Sequence, residues 1–321
     1  MSTETSAPKA GIVVVGSLNA DLTIYTERLP QPGETVHGNG FAVNPGGKSA
    51  NQAVAASKLG GAVTLIGAVG DDPNGAMLLE STANAGVDVS RVRRSDAATG
   101  VAVISVDANG ENSIIISAGA NGTLSPADVD VAAFQDAAVV CLCLEVGIDT
   151  VIAAAQAGHD AGATVLLNLS PYSEVPGLLA GLTDVLLVNA HEAALFLGSE
   201  AVIPAADADV AAWEPVRSQF ADRGMQRVLV TLGSQGSVVL DSLARGAADQ
   251  LTRIAPTRVS AVDTTGAGDA FTGAVAARLA AGDSLAEAAA FASVAAALAA
   301  TKKGTQAAYA NSAEVEAART S

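Results

Sequence analysis

Six apolar runs, rich in Val, Leu and Ile, set the terms for any fold of this chain. They are GIVVVGSLNAD (11–21), AVTLIGAVGDD (62–72), AAVVCLCLEV (137–146), ATVLLNLSP (163–171), DVLLVNAHE (184–192) and RVLVTLGSQG (227–236). Each carries a stretch of mostly consecutive apolar residues rather than apolar–polar alternation, as expected of a strand buried on both faces. Between several of them lie Ala-rich segments with helical spacing, such as DTVIAAAQAGHDAG (149–162). Strand–helix alternation at this interval predicts an α/β fold, a three-layer α/β/α arrangement around an open, mostly parallel sheet. The polar tails of the strands would then gather at one sheet edge, where open α/β folds bind ligands.

Two segments break the rhythm. ETVHGNGFAVN (34–44) and TGVAVISVDANGENSIIIS (99–117) read as strands joined by turns, with DANG as a hairpin signal. They cannot supply crossover helices, so they are assigned to a small β-sheet lid formed by segments 18–44 and 97–118. The rest of 10–321 reads as one domain, with 1–9 expected to be disordered. Leu285–Ala300 reads as a buried helix, and the tail after Ala310 as a surface helix with a frayed end.

The chain carries 33 acidic against 17 basic residues, a net charge of −16. That field repels phosphodiester backbones and anionic headgroups, so neither a nucleic-acid nor a membrane partner is expected. An anionic substrate would need a locally positive pocket. Aromatics make up 3% of the chain and the apolar residues are mostly Ala and Val, which favours tight helix-on-sheet packing. MSTETSAPKA at the start lacks a basic and an apolar region, and no uncharged apolar run reaches membrane-spanning length, so a cytoplasmic location is expected. Cys141 and Cys143 share one face of an apolar run and suit buried thiols. His37, His159 and His191 form no metal-type pair.

The strand tails hold the candidate chemistry. Asn19 and Asp21, two apart, lie on one side of an extended chain and could grip vicinal sugar hydroxyls; an Asx-turn is the alternative. In NPGGKSANQA (44–53), Gly47-Lys48-Ser49 matches the second half of a P-loop, but Ala42 stands where its leading glycine belongs, so the P-loop is rejected. Gly46 and Gly47 would still let backbone approach a ligand, with Lys48 and Asn51 as donors at a helix start. Glu145, Asn168, Asn189 and Glu192 end or follow other strands; capping accounts for any one of them, and their convergence on one edge for the set. TLGSQG (231–236) could approach phosphates and ribose. No strand is followed by GxGxxG, so a dinucleotide fold lacks its signature.

The most informative stretch is VDTTGAGDAFTG (262–273). The first amides of a helix lack internal partners and carry the positive end of its dipole. With so little side chain at Gly266, Ala267 and Gly268, those amides can face a phosphate. Asp269, next to them, is placed to take a proton from an attacking hydroxyl. An N-capping aspartate after a flexible loop is the alternative.

GSLNAD, PGGKSANQA, GDDPNG, TGVAVISVDANGENSIIISAGAN, NAHE, TLGSQG, AVDTTGAGDAFTG and TKKGTQ follow one another in the order of a known family. The chain resembles the ribokinase-like (phosphofructokinase-B-like) carbohydrate kinases over roughly 11–308. The resemblance implies ATP-dependent phosphorylation of D-ribose at its 5-hydroxyl, with Asp269 as general base and Gly266–Gly268 as anion hole. It implies sugar contacts from Asn19, Asp21, Gly47, Lys48, Ser49, Ala50, Asn51 and Glu145. Nucleotide contacts are implied for Asn189, Thr231, Leu232, Gly233, Ser234, Gln235, Gly236, Gly268, Asp269 and Ser293. Glu192 matches the acid that organises Mg2+. Asp263 and Thr265, with backbone near Ala299, Lys302, Gly304 and Ala308, match a K+ site. A homodimer through the β lid is implied as well. Two departures are noted: Ser49 replaces a usual glycine and is expected to narrow the sugar pocket, and Ser293 replaces a histidine found beside adenine in some members. Within the family, a kinase for another pentose, a ketohexose or a nucleoside is the nearest alternative. Outside it stands a sugar-binding regulator without catalysis.

Overall fold

Along the first strand, β1 (Gly11–Val15), Ile12 and Val14 pack into one hydrophobic core while Val13 and Val15 pack into another. The same alternation runs through β8 (Ala137–Leu142), β9 (Thr164–Asn168) and β11 (Arg227–Thr231), where Cys141, Leu166 and Leu229 share a core with Ile12. This two-sided burial is why these runs are apolar throughout. A computed structural model describes residues 10–198, 201–246 and 249–320; the expected disorder of 1–9 and the terminal Ser321 lie outside them.

The six runs become β1, β4 (Ala62–Gly70), β8, β9, β10 (Val185–Asn189) and β11, all parallel. With β5 (Asp88–Ser95) at one edge and an antiparallel pair, β12 (Ser237–Asp241) and β13 (Leu251–Ile254), at the other, they form a nine-stranded sheet. Its order is β13-β12-β11-β10-β9-β8-β1-β4-β5. One face is covered by α1 (Lys48–Lys58), α2 (Pro73–Asn84), α7 (Ala267–Ala280), α8 (Leu285–Ala300) and α9 (Ser312–Arg319). The other is covered by α3 (Ile148–Asp160), α4 (Gly177–Leu182), α5 (Ala190–Leu197) and α6 (Glu214–Asp222). The chain leaves β1 toward β4 on one side and β8 on the other, so the topological switch lies between β1 and β8.

A second sheet has the order β3-β2-β6-β7, from β2 (Asn19–Thr26), β3 (Gly38–Gly46), β6 (Gly100–Val106) and β7 (Asn112–Ser117). The DANG turn is fixed by the Asp107 carboxylate, which accepts from the amides of Asn109 and Glu111 at 2.8 and 3.0 Å. β3 runs past the expected limit at residue 44, because Pro45 and Gly46 pair with Ala20 and Asn19. A proline is tolerated there since β3 is an edge strand. One residue later the chain enters α1, so this sheet is continuous with the helix behind it.

Candidate active site

At the switch point, the chain beyond β1 is held by Asn121. Its side-chain oxygen accepts from the Leu18 amide (3.0 Å), and its nitrogen donates to the Leu18 carbonyl (2.9 Å) and to Asn19 Oδ1 (2.8 Å). Glu145 lies three residues beyond the end of β8, not at the strand end itself. One of its oxygens accepts from Ser17 Oγ (2.5 Å) and from the Lys48 amide (3.0 Å), tying together β1, β8 and the start of α1. Asp21, on β2, lies so close to Gly46 that a Cβ there would sit 2.2 Å from its carboxylate. Gly46 is therefore a place where only glycine leaves the acid room.

Asp269 closes the group from the first turn of α7. It is 7% exposed, and its two oxygens accept from Asn51 Nδ2 (3.0 Å) and Gln52 Nε2 (3.1 Å). Burial raises its pKa above the usual aspartate value; Lys48 and the two amides oppose that shift, and Glu145 adds to it. Asp21 is pushed up to about 7, first by burial, then by the charges of Glu145 and Asp269. Burial works against the Lys48 ammonium, yet Asp269 and Glu145 outweigh it and hold its pKa above the ordinary lysine value. One cation is thus shared by a cluster of acids, a polar grouping whose chemistry suits hydroxyl groups.

The backbone just before Asp269 faces a different space. Gly266 caps α7 in the left-handed conformation (φ 72°). The Ala267 amide is committed to the Thr264 carbonyl (3.1 Å), so it is not the free donor expected from the sequence. The amides of Gly268 and Asp269 find no acceptor among the described residues, and these point the site's anion-binding capacity. A Cβ on Gly268 would meet no atom within 4 Å beyond its chain neighbours and its own helix backbone. Gly268 lines a cavity of about 670 Å³ with Asn189, Thr231, Gly233, Ser234, Gly236 and Ser293. Leu232 instead packs into the core, and neither it nor Gln235 lines the cavity. Ser293 Oγ donates to the Ala255 carbonyl at 3.3 Å.

Other lining residues carry a weaker sequence signal. Ser293, Ala296, Ala297 and Ala300 line the cavity from α8 at i, i+3, i+4 and i+7, a stripe of small residues that leaves room for a flat ligand. Arg258, also lining it, supplies the local positive charge that an anionic ligand needs in so acidic a chain. Ser17, Gln52, Asn121 and Gln306 were all within or beside motifs, but only the fold shows their partners. Asn168 donates to Thr272 Oγ1 at 3.4 Å, linking β9 to α7.

Ser49 and Ala50 are fully buried. Ser49 Oγ lies 3.1 Å from Cys143 Sγ, so its hydroxyl is engaged in the protein interior instead of narrowing the sugar side. Both cysteines are free and buried, and burial pushes the Cys143 thiol up to about 12.

Asn189 and Glu192 form a reciprocal capping box at α5. The Glu192 amide donates to Asn189 Oδ1 and the Asn189 amide to Glu192 Oε2, both at 2.8 Å. Among the described residues no three His, Cys, Asp or Glu side chains cluster around a metal position. Glu192, whose capping partner Asn189 lines the cavity, still fits Mg2+ as a single carboxylate, because that ion keeps waters and binds through substrate phosphates. Asp263 accepts from the amides of Thr265 and Gly304, both at 2.9 Å, which draws the two loops together. Burial opposes, but these bonds and Lys303 hold its pKa below the usual range. An ionised carboxylate, a threonine hydroxyl and neighbouring carbonyls make an all-oxygen donor set that fits a hard cation such as K+. Of those carbonyls, Ala299 already accepts from the Lys302 amide at 3.3 Å.

Comparison with known proteins agrees with this geometry. The model of the pfkB family of carbohydrate kinases matches residues 9–312. A ribokinase of Schizosaccharomyces pombe is 37% identical over 269 residues, covering 80% of this chain and 81% of its own. A deoxyribokinase of Salmonella typhi is 35% identical over 305 residues, covering 93% of this chain and 95% of its own. The solved structure of Arabidopsis thaliana ribokinase complexed with ribose and ATP superimposes with a TM-score of 0.86 at 31% identity, covering 96% of this chain and 98% of that one.

Proposed function

The chain belongs to the pfkB family of carbohydrate kinases, phosphotransferases that act on a hydroxyl acceptor, and from that premise we propose that it transfers the γ-phosphoryl group of ATP to the 5-hydroxyl of D-ribose. The observation that carries this reading is the position of Asp269. It is hydrogen-bonded to Asn51 and Gln52 of α1 and within electrostatic reach of Asp21, Lys48 and Glu145, while the residue before it lines the large cavity. Sugar and nucleotide would therefore meet at one turn of α7.

In this mechanism Asn19, Asp21 and the Glu145–Lys48 end of α1 hold the sugar. Asp269 accepts the hydroxyl proton as the oxygen attacks the γ-phosphorus. The new O–P bond forms while the bond from that phosphorus to the bridging oxygen breaks, giving ribose 5-phosphate and ADP. The Gly268 and Asp269 amides face the charge on the transferring group, and Arg258 adds a cation to the cavity. Mg2+, organised through Glu192, would neutralise phosphate charge when bound, as phosphoryl transfer generally requires. K+, held by Asp263, Thr265 and the backbone near Ala299, Lys302, Gly304 and Ala308, would fix the loop beside the turn. Replacing K+ with Na+ is expected to lower turnover; equal rates in the two salts would remove the cation from the proposal.

Asp21 gives a sharper prediction. Asp21→Ala should lose most of its ribose affinity in calorimetry, and unchanged binding would take Asp21 out of the site. In the parent protein, ribose should bind more weakly as the pH falls through about 7, where Asp21 becomes protonated. The same raised pKa acts on stability. The folded chain holds a proton on Asp21 between the unfolded value of 3.8 and about 7, so this group's stabilising contribution is complete below that window and lost as pH rises through it. Asp21→Asn should therefore melt higher than the parent at about pH 8, with the difference vanishing near pH 4. A difference that does not change with pH would contradict this assignment.

A second sugar is favoured by one finding, the similarity to a deoxyribokinase over nearly the whole chain. A product-release assay with ribose, 2-deoxyribose, ketohexoses and nucleosides tests the choice. Fastest turnover with ribose supports the proposal; preference for 2-deoxyribose replaces it, and no turnover with any sugar favours a binding regulator.

The second sheet would act as a lid and dimer interface. Leu22, Val43, Val103 and Ile115 lie in one row across it, and Ile24 and Phe41 extend the same face. Phe41 and Ile115 are 66% and 72% exposed, where a solvated sheet face would be polar. Asn19 and Asp21 are on the opposite face. A second copy of the chain would cover the apolar face. Ile115→Lys is expected to shift the protein to a monomer in sedimentation, and an unchanged mass would relocate the interface.

A further inference from the structure

Gln52 is fully buried in α1, yet it is a polar side chain with both ends engaged. Its Nε2 donates to Asp269 Oδ1 at 3.1 Å, and its Oε1 accepts from the Cys141 thiol at 3.3 Å. Its neighbour Asn51 does the same in parallel: Nδ2 donates to Asp269 Oδ2, and Oδ1 accepts from Gln306 Nε2, each at 3.0 Å. Cys141 and Gln306 thereby fix which end of each amide faces the acid. The arrangement depends on close packing of α1 against α7. At Gly273 a Cβ would sit 2.4 Å from the Gln52 carbonyl, so glycine there lets the helices approach.

We propose that Gln52, oriented by Cys141, is a positioning residue for the phosphoryl-transfer reaction: it keeps Asp269 ionised and aimed at the acceptor hydroxyl. This rests on the reading of Asp269 as the base. A carboxylate buried this deeply takes up a proton unless something favours the charged form, and a protonated acid cannot act as a base. Amide donors favour that form without adding a counter-charge. They also leave further lone pairs on the carboxylate for the sugar hydroxyl. Other groups bear on the same acid. Lys48 favours its ionisation, Glu145 opposes it, and Asp21, Cys141 and Tyr309 interact with it electrostatically. Gln52 is distinguished from them by its direct hydrogen bond.

The test is the pH profile of kcat at saturating ATP and ribose, or the sugar selected by the substrate panel, for the parent, Gln52→Met, Cys141→Ala and Asp269→Asn. Saturating sugar separates the profile from the titration of Asp21, which acts on binding. Methionine keeps the length of the side chain and removes the amide. Gln52→Met should lower kcat about 10- to 100-fold near pH 6.5, the range for losing a hydrogen bond to an ionised group. Its acid limb should move up by about one to two pH units, because losing a donor to the charged form raises the pKa of the base. The deficit should therefore narrow as pH rises, with KM for sugar and ATP within about twofold of the parent. Cys141→Ala should move the limb the same way by less, and it decides the matter if Gln52→Met does not fold. Unmoved limbs, or a deficit equal at every pH, overturn the role of Gln52. If Asp269→Asn keeps its turnover, the base assignment itself fails, and that result is separate from an unmoved limb in Gln52→Met.

Discussion

Asp269→Asn should phosphorylate its sugar about 10²- to 10⁴-fold more slowly than the parent while still binding it, the usual contribution of a positioned base. The substitution keeps the size of the side chain but replaces one acceptor oxygen with a donor. In the folded protein both oxygens face amide donors, Asn51 on one and Gln52 on the other. An asparagine can satisfy only one of them, and it has no site for the hydroxyl proton. The loss should therefore fall on kcat, with sugar affinity measured by calorimetry changed far less. Folding is not expected to suffer in proportion, because the variant also removes a deeply buried charge. Sugar-dependent ADP release at near-parental rates would end the assignment of Asp269 as base.

Gly268→Val tests the other half of the turn, and it should separate folding from activity. A helical glycine replaced by valine does not lose helix propensity, and the new side chain would start in open space. The thermal midpoint should stay within about 2 °C of the parent, or rise. The same side chain would project into the cavity that Gly268 lines, beside the free amides where the proposed mechanism seats the terminal phosphate. We therefore expect kcat/KM for ATP to fall at least about 100-fold, a loss on the scale of removing one oxyanion donor. An active, stable Gly268→Val would place the phosphate elsewhere.

Much of this architecture is legible in the sequence. The continuous runs at 11–21 and 137–146 became central strands because burial on both faces demands unbroken apolar character. β5 was not legible for the opposite reason. Its sequence, DVSRVRRS, belongs to an edge strand whose arginines pair with Asp71, Asp128 and Asp130. The same limit applies to the site. Asp269 and its glycine turn stand out because their chemistry is local to four residues. Gln52 and Gln306 do not, because they act through partners more than 200 positions away along the chain. Leu232 shows the reverse error: it lies within a motif of small and polar residues, but its side chain belongs to the core.

The pairing of Asn19 with Gly46 leaves one mechanical consequence. β3 passes into α1 with only Gly47 between them, and α1 carries the two amides that hold Asp269. Thr305 Oγ1 donates to the Pro45 carbonyl at 3.1 Å, anchoring that junction to the C-terminal segment. If the small sheet tilts on binding sugar, as the proposed lid role requires, the start of α1 lies next in line to feel it. Grasping the sugar and arming the acid beneath it would then be two ends of one lever, so an empty enzyme would be slow to spend ATP on water.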